Sequence, residues 1–185
     1  PDAYGLRGLI YMRMNDMAQA EDSFKRAIAL NPQDANAHHN YGWLLCQQAK
    51  YPEAIREFGQ AMAKPLYGER ARTLMAQGVC QARAGQNADA ERSLAQSYEL
   101  DAADPVTGFN LAKLLFLRGE LTRAQFYIRR LNNTELANSE SLWLGIKVER
   151  QIGDRVAMDQ LADQLRRRFS NSREAAALAR GAFNE

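Results

Sequence analysis

The sequence is poor in the residue types that build catalytic and metal sites. It has two cysteines and two histidines among 185 residues, and the histidines, His38 and His39, are neighbours. Adjacent residues on a helix point about 100° apart, so the two imidazoles cannot serve one site. Neither lies in a metal-binding motif, and no phosphate-binding loop or nucleophile elbow is present. A pair of Cys46 with a histidine lacks an orienting third group, so we expect no enzyme activity, no cofactor and no metal.

Net charge and long apolar runs are scarce as well. The formal net charge is +2, which is too small for the electrostatic footprint of a nucleic-acid-binding protein. The basic runs Arg129-Arg130 and Arg166-Arg167-Arg168 fit the C-terminal ends of solvated helices. No apolar stretch approaches the roughly 18–20 residues that a membrane helix needs. Cys46 and Cys80 are too few for a disulfide framework and are not spaced as metal ligands, so we expect two buried or partly buried thiols.

What the sequence does contain is a repeat of about 34 residues, in which small residues recur at two fixed places. At the first place the spacing is 34 and then 36, in Gly8, Gly42 and Gly78. At the second place it is 34, 36 and 34, in Ala20, Ala54, Ala90 and Ala124. Such a period is typical of solenoids, whose repeats bury their apolar faces only against their neighbours. Because solenoids commonly serve as binding surfaces, the sequence predicts a protein that binds a partner.

Each repeat predicts two helices joined by a tight turn. Apolar residues at helical spacing are interrupted at similar places, near Asn15, Ala49, Gly85, Gly119 and Gly153. The predicted repeats are about 1–34, 35–70, 71–104, 105–138 and 139–171. An Ala-rich segment at about 172–183, in which Ser172 is a plausible helix start, is where we expect a capping helix.

The small residues have a packing reason. Two helices approach most closely where their side chains are smallest, so we expect Gly8 or Gly42 to face Ala20 or Ala54. Glycine within a helix costs roughly 1 kcal/mol relative to alanine, so its recurrence implies a steric need. The phenylalanines would then fill the space between successive repeats. The residues assigned to structure alone are Gly8, Ala20, Phe24, Ala27, Pro32, Gly42, Ala54, Phe58, Ala61, Gly78, Ala90 and Ala124.

These residues resemble the tetratricopeptide repeat, a 34-residue helix–turn–helix unit. The first repeat follows that pattern closely, although Arg7 stands where leucine is usual: Tyr4, Gly8, Tyr11, Ala20, Phe24, Ala27, Pro32. Repeats two to four match well, whereas repeat five has lost the glycine and alanine of the crossing. The resemblance implies an all-α fold, a right-handed α-solenoid of five tetratricopeptide repeats with a C-terminal capping helix, in a single domain over 1–185.

Three further segments resemble the type IV pilus biogenesis/stability proteins, the PilF/PilW pilotin family. His39-Asn40-Tyr41-Gly42-Trp43-Leu44-Leu45 is similar to that family's NNYGxFL. Leu66-Tyr67-Gly68-Glu69-Arg70-Ala71-Arg72 is similar to its LYPERSR, with Gly68 in place of proline, and falls at the 36-residue repeat. Leu142-Trp143-Leu144-Gly145-Ile146 is similar to its LLLGI. This resemblance spans essentially the whole chain.

The family resemblance implies a function and a location. It implies a non-catalytic lipoprotein on the periplasmic face of the outer membrane, which helps the pilus secretin localise and assemble into its ring. Members carry a lipidated cysteine and one further N-terminal repeat, and we expect both upstream of Pro1. The partner is then a secretin subunit rather than a nucleic acid, and the lipid is the membrane anchor. A generic peptide-binding adaptor of another bacterial assembly stays the alternative.

In this repeat the first helix of each hairpin lines the concave face, where we expect a partner to bind. The outward-facing positions there are mostly apolar and include both tryptophans, the residue type most enriched in binding hot spots. Two asparagines in equivalent places would hydrogen-bond a peptide backbone. Coverage by neighbouring repeats or by the capping helix is the alternative for each side chain. The predicted groove residues are Leu9, Met12, Asn40, Trp43, Cys46, Met75, Val79, Phe109, Asn110, Phe116 and Trp143.

Overall fold

The computed structural model describes residues 3–185, and the regular structure in this range is entirely helical. Pro1 and Asp2, which begin the predicted first repeat, lie outside the described residues. Within residues 3–185 no helix is both long and apolar enough to cross a membrane. The helices are α1 (Ala3–Arg13), α2 (Met17–Leu30), α3 (Ala35–Gln47), α4 (Tyr51–Met62), α5 (Arg70–Arg83), α6 (Asn87–Leu100), α7 (Pro105–Leu117), α8 (Leu121–Asn132), α9 (Ser139–Ile152), α10 (Arg155–Arg168) and α11 (Arg173–Arg180).

The helices pair two by two into hairpins, as the repeat predicts. α1 packs on α2, α3 on α4, α5 on α6, α7 on α8, and α9 on α10. The hairpins fall into two compact units, an N-terminal unit of Pro1–Asp101 and a C-terminal unit of Ala102–Glu185. In the C-terminal unit α11 packs on α9 and α10. The predicted capping-helix start is confirmed, because the Ser172 side chain accepts a hydrogen bond from the Ala175 N–H.

The turn inside each hairpin places one residue in the left-handed backbone region. In the last three hairpins this residue is glycine, with φ of 79° at Gly85, 83° at Gly119 and 91° at Gly153. At the equivalent places Asn15 and Ala49 adopt a φ of 59°. Glycine enters this region freely and asparagine tolerates it, whereas for alanine it costs roughly 1–2 kcal/mol. The recurring break in the sequence therefore reflects a requirement of the backbone.

The glycines at the helix crossings lie against large side chains. A Cβ added to Gly8 would lie 2.5 Å from the Phe24 ring, and one added to Gly42 would lie 2.9 Å from the Phe58 ring. The expectation that Gly42 faces Ala54 is confirmed through the backbone, since the Ala54 carbonyl oxygen lies 3.1 Å from the added Cβ, but the nearest atoms at both glycines belong to the phenylalanine rings. The rings come this close because a helical side chain covers the turn on the N-terminal side of its own Cα. Each ring therefore lies over the preceding alanine, whose small side chain leaves the space.

Repeat five keeps a close approach, one position earlier than the others. A Cβ added to Gly145 would lie 2.7 Å from the Asn132 amide nitrogen and 3.0 Å from Leu161. Ile146, which takes the place of the crossing glycine, is fully buried in the core. The crossing glycine is therefore lost from this repeat, as the sequence indicates, and the close approach is made by Gly145 instead.

The two cysteines form a disulfide between α3 and α5. The Cα atoms of Cys46 and Cys80 lie 5.8 Å apart, and the structure leaves no free cysteine in the described residues. Both cysteines are buried, as expected, but the expectation that they are thiols is wrong, since two cysteines suffice for a single bond. Packing of neighbouring first helices brings the two backbones within the range that a disulfide spans.

Gly42→Ala is expected to lower the free energy of unfolding by about 2 kcal/mol, since the new methyl group must displace the buried Phe58 ring and the Ala54 carbonyl. Gly59→Ala in the same hairpin is the matched control. Nothing lies within 4 Å of its added methyl, so it should raise the free energy of unfolding by about 0.5–1 kcal/mol. Urea unfolding measures both, and effects of the same sign would contradict the crossing assignment.

Candidate functional site

Six of the predicted groove residues lie on neighbouring helices of the N-terminal unit. α3 contacts both α1 and α5, so the side chains on these first helices are next to each other. Leu9 is exposed, and the others are half-buried. We call this set the α3 surface; it consists of Leu9, Met12, Asn40, Trp43, Met75 and Val79. Its members offer apolar area to a partner without belonging to the buried core.

Trp43 is the largest side chain of the α3 surface and is held from two sides. It packs against the core cluster that contains Phe58 and the disulfide. The Arg83 guanidinium lies 5.3 Å from its ring centre, within the distance of a cation–π contact. A partly exposed tryptophan beside an arginine combines the two residue types that dominate binding hot spots.

Two predicted groove residues are buried, contrary to expectation. Cys46 is 2% exposed and is bonded to Cys80, so it presents no surface to a partner. Trp143 is 6% exposed, because the Phe183 ring stacks on it with the ring centres 5.5 Å apart. The indole N–H also donates to the backbone carbonyl of Glu185 at 3.2 Å. Trp143 is therefore covered, but the residues stacked on it and bonded to it lie in the segment after the capping helix and not in the helix itself.

The other aromatic groove residues meet in a pocket of the C-terminal unit. Phe109 and Phe116 from α7 and Trp143 from α9 line this α7–α9 pocket, which has a volume of about 350 Å³. The Lys147 Nζ lies 6.0 Å from the Phe116 ring centre and 5.5 Å from that of Trp143. Burial lowers the pKa of Lys147, and the nearby charge of Lys113 lowers it further. The pocket thus joins aromatic walls to a partly desolvated ammonium group.

The two predicted peptide-binding asparagines are not in the same state. Asn110 donates its amide N–H to the Val106 carbonyl of its own helix at 2.8 Å. Asn40 lies half-buried on α3 beside the other members of the α3 surface. Asn40 and Asn110 therefore lie at equivalent positions of their repeats, as predicted, but Asn110 donates an amide N–H to its own helix.

Both histidines are buried and bonded to protein groups. The His38 Nδ1 lies 2.6 Å from the Glu57 carboxylate, and its Nε2 lies 3.0 Å from the Pro32 carbonyl. The His39 Nδ1 lies 2.8 Å from the Thr73 hydroxyl. Within residues 3–185 no group of three or more His, Cys, Asp or Glu side chains is placed to hold a metal ion.

An ion pair between a buried glutamate and a partly exposed arginine in the C-terminal unit was not predicted from the sequence. Glu149 is fully buried, and Arg129 donates to both of its carboxylate oxygens, at 2.6 and 3.0 Å. Hydrogen bonding to Glu149 raises the pKa of Arg129, which also contacts Asp154 at 3.1 Å. One signal was available: Glu149 follows the buried Ile146 by three residues and so shares its helix face.

Comparison with known proteins identifies the repeats and their relatives. The sequence profile of the tetratricopeptide repeat matches residues 1–34, and a second such profile matches 23–56. The type IV pilus assembly protein PilF of Pseudomonas aeruginosa is 26% identical over 173 residues, which cover 94% of this chain and 69% of PilF. The crystal structure of PilW, described as a widely conserved type IV pilus biogenesis factor, is 28% identical with a TM-score of 0.86, covering 96% of this chain and 81% of that one.

A structure of Pseudomonas aeruginosa PilF gives a TM-score of 0.87 at 24% identity, covering 97% of this chain and 81% of that one, and so supports the fold. The chain contains tetratricopeptide repeats, and its predicted fold class, an all-α solenoid of such repeats, is confirmed. Within that class it resembles the type IV pilus biogenesis proteins PilF and PilW in sequence and in structure.

Stability is expected to fall as pH drops from 6.5 to 4, because of His39. Burial, followed by the charge of Arg72, lowers the pKa of His39 from 6.5 to about 4. Between these values the unfolded chain binds more protons than the folded one, so the loss reaches about 3 kcal/mol at the lower end. In urea unfolding at several pH values, His39→Gln should flatten this slope. An unchanged slope in the variant would contradict the assignment.

Proposed function

We propose that this chain is a non-catalytic protein-binding scaffold of type IV pilus biogenesis, and that its partner is the outer-membrane pilus secretin. The observation that carries the proposal is the likeness to PilF over 94% of the chain, together with the TM-score of 0.86 to PilW. Those proteins are named for pilus assembly and pilus biogenesis. Secretin assembly is the finer step, and it rests on the family resemblance of the sequence segments around Tyr41, Tyr67 and Trp143.

The α3 surface is the binding site in this proposal. Trp43, Met75 and Val79 lie on adjacent helices and are half-buried, so a bound segment would complete their burial. Apolar burial contributes about 25 cal/mol per Å², less the cost of ordering the bound segment. Trp43 offers the largest area and already has Arg83 beside it, which makes it the expected anchor.

We infer that the protein works in the periplasm, held at the outer membrane by a lipid anchor. The bond between Cys46 and Cys80 supports the periplasm, because disulfides form and persist in oxidising compartments. The bond also joins α3 to α5, the two helices that carry most of the α3 surface. The lipid anchor follows from the family resemblance.

Cys46 and Cys80 are expected to be oxidised in the protein taken from its native cells. Denaturing the protein without reductant and adding a maleimide should then label no thiol, whereas reduction first should add two labels, read by mass spectrometry. The same chain produced in a reducing cytoplasm is the control and should take two labels without reductant. Two free thiols in the native-source protein would contradict the proposed compartment.

Trp43→Ala is expected to weaken secretin binding about ten-fold or more, because it removes the central apolar anchor of the α3 surface. Phe126→Ala is the matched control, since Phe126 is an exposed aromatic residue on α8, a second helix of its hairpin. Binding is measured by capture of the secretin from detergent-solubilised outer membranes, and circular dichroism checks helicity.

Unchanged capture by Trp43→Ala would exclude the α3 surface as the binding site. Failure of the unsubstituted chain to capture secretin would remove the proposed partner. Binding to a different periplasmic assembly, with the same dependence on Trp43, would favour the generic adaptor.

A further inference from the structure

The segment that follows α11 folds back onto one end of the α7–α9 pocket. The Phe183 ring stacks on Trp143 at an interplanar angle of 21°, and the Arg150 guanidinium lies 4.3 Å from the centre of the Phe183 ring. The backbone carbonyl of Glu185 accepts two hydrogen bonds, from the Trp143 indole at 3.2 Å and from the Lys147 ammonium at 3.0 Å. One aromatic side chain and one carbonyl therefore make the contacts that a short peptide ligand would make.

This hold on the pocket is local. Gly181 ends α11 in the left-handed region with a φ of 66°, and the chain then makes a turn rather than a further helix. Phe183 is only half-buried, and Asn184 and Glu185 are exposed. The Glu185 side chain is not used by the pocket, because its carboxylate pairs with Arg180 at 2.7 Å. The segment is thus held by the packing of Phe183 on the core cluster and by the Glu185 backbone oxygen, and none of its residues belongs to a helix.

The electrostatics of the pocket favour an acidic group beside Lys147. Lys147 is partly buried between two aromatic rings, and it donates to the Glu185 backbone oxygen. A hydrogen bond from an ammonium to a carboxylate is roughly twice as strong as one between neutral groups. Lys113 also lines the pocket, as do Arg173 and the acidic Glu140 and Glu174. A carboxylate oxygen at the position of this acceptor would therefore be held firmly.

We propose that Trp143 and Lys147, at the edge of the α7–α9 pocket, bind a partner's peptide segment that carries an aromatic side chain followed, two residues later, by an acidic group, and that Phe183 and Glu185 cover these two side chains until that segment displaces them. The identity of the partner rests on the proposed function, whereas binding at the pocket does not. Phe183–Glu185 is tethered to the site and therefore acts at an effective concentration of roughly millimolar. An external peptide can bind only while this segment is displaced, so its apparent affinity falls in proportion to the fraction of molecules whose site is open.

The probe is a fluorescein-labelled peptide of the chain's own sequence, Leu-Ala-Arg-Gly-Ala-Phe-Asn-Glu, whose free terminal carboxylate supplies the acidic group. Fluorescence anisotropy should show Phe183→Ala binding it about ten-fold more tightly than the unsubstituted chain, because the internal occupant has lost its anchor. Asn184→Ala is the matched control and should bind like the unsubstituted chain. A peptide with alanine in place of its phenylalanine should not bind to Phe183→Ala.

A second substitution tests the role of the ammonium group. Lys147→Met, placed in the Phe183→Ala chain, should reduce peptide binding about ten-fold while the circular dichroism spectrum stays unchanged. A folded Phe183→Ala chain that gains no peptide binding would overturn the proposal, since Phe183 would then be part of the core only. Should Phe183→Ala not fold, Arg150→Ala loosens the same ring from outside the pocket, and about three-fold tighter binding is expected; no gain would overturn the proposal equally.

These outcomes are separable from the test of the proposed function. Peptide binding without any secretin capture would support the proposed peptide site and exclude the secretin as its partner. Secretin capture that depends on Trp43, without peptide binding by Phe183→Ala, would leave the scaffold function and overturn the pocket proposal.

Discussion

The close contact between the two helices of each hairpin is the constraint on which this structure depends. The Phe24 and Phe58 rings lie so close to Gly8 and Gly42 that neither glycine position has room for a Cβ. The turn that precedes each ring also needs a residue in the left-handed backbone region. Because its two helices pack closely on each other, a hairpin needs neighbouring hairpins to cover only part of its surface. The outward positions of the first helices are then only partly buried, and side chains such as Trp43 and Met75 keep surface for a partner.

The sequence predicts those features that repeat and are local. The turn residues, the hairpins and the start of α11 at Ser172 each follow from a chemical requirement that recurs at a fixed spacing or is met within four residues. Features that join distant parts of one unit were not predicted. Whether Cys46 reaches Cys80 depends on how α3 packs against α5, and whether Trp143 is exposed depends on a segment forty residues further along, outside the periodic pattern.

The two tryptophans have the same kind of neighbour but differ in exposure. Arg83 lies 5.3 Å from the ring centre of Trp43, and Lys147 lies 5.5 Å from that of Trp143. Each indole thus sits on a first helix beside a cation. Trp43 keeps part of its face open, whereas Trp143 is covered by Phe183. The difference comes from the segment after α11 and not from the repeat, so the repeat pattern alone overestimates the exposed area of the C-terminal unit.

Each unit also carries one strong link that steadies its candidate binding surface. In the N-terminal unit the disulfide joins α3 to α5, and in the C-terminal unit the bond of Arg129 to the buried Glu149 carboxylate joins α8 to α9. A surface fixed before binding loses less conformational entropy when a partner arrives, so more of the contact energy appears as affinity. Both surfaces are built on helices, and the segment over Trp143 lies outside them. In the proposed binding at Trp143 and Lys147, control therefore falls to those few residues.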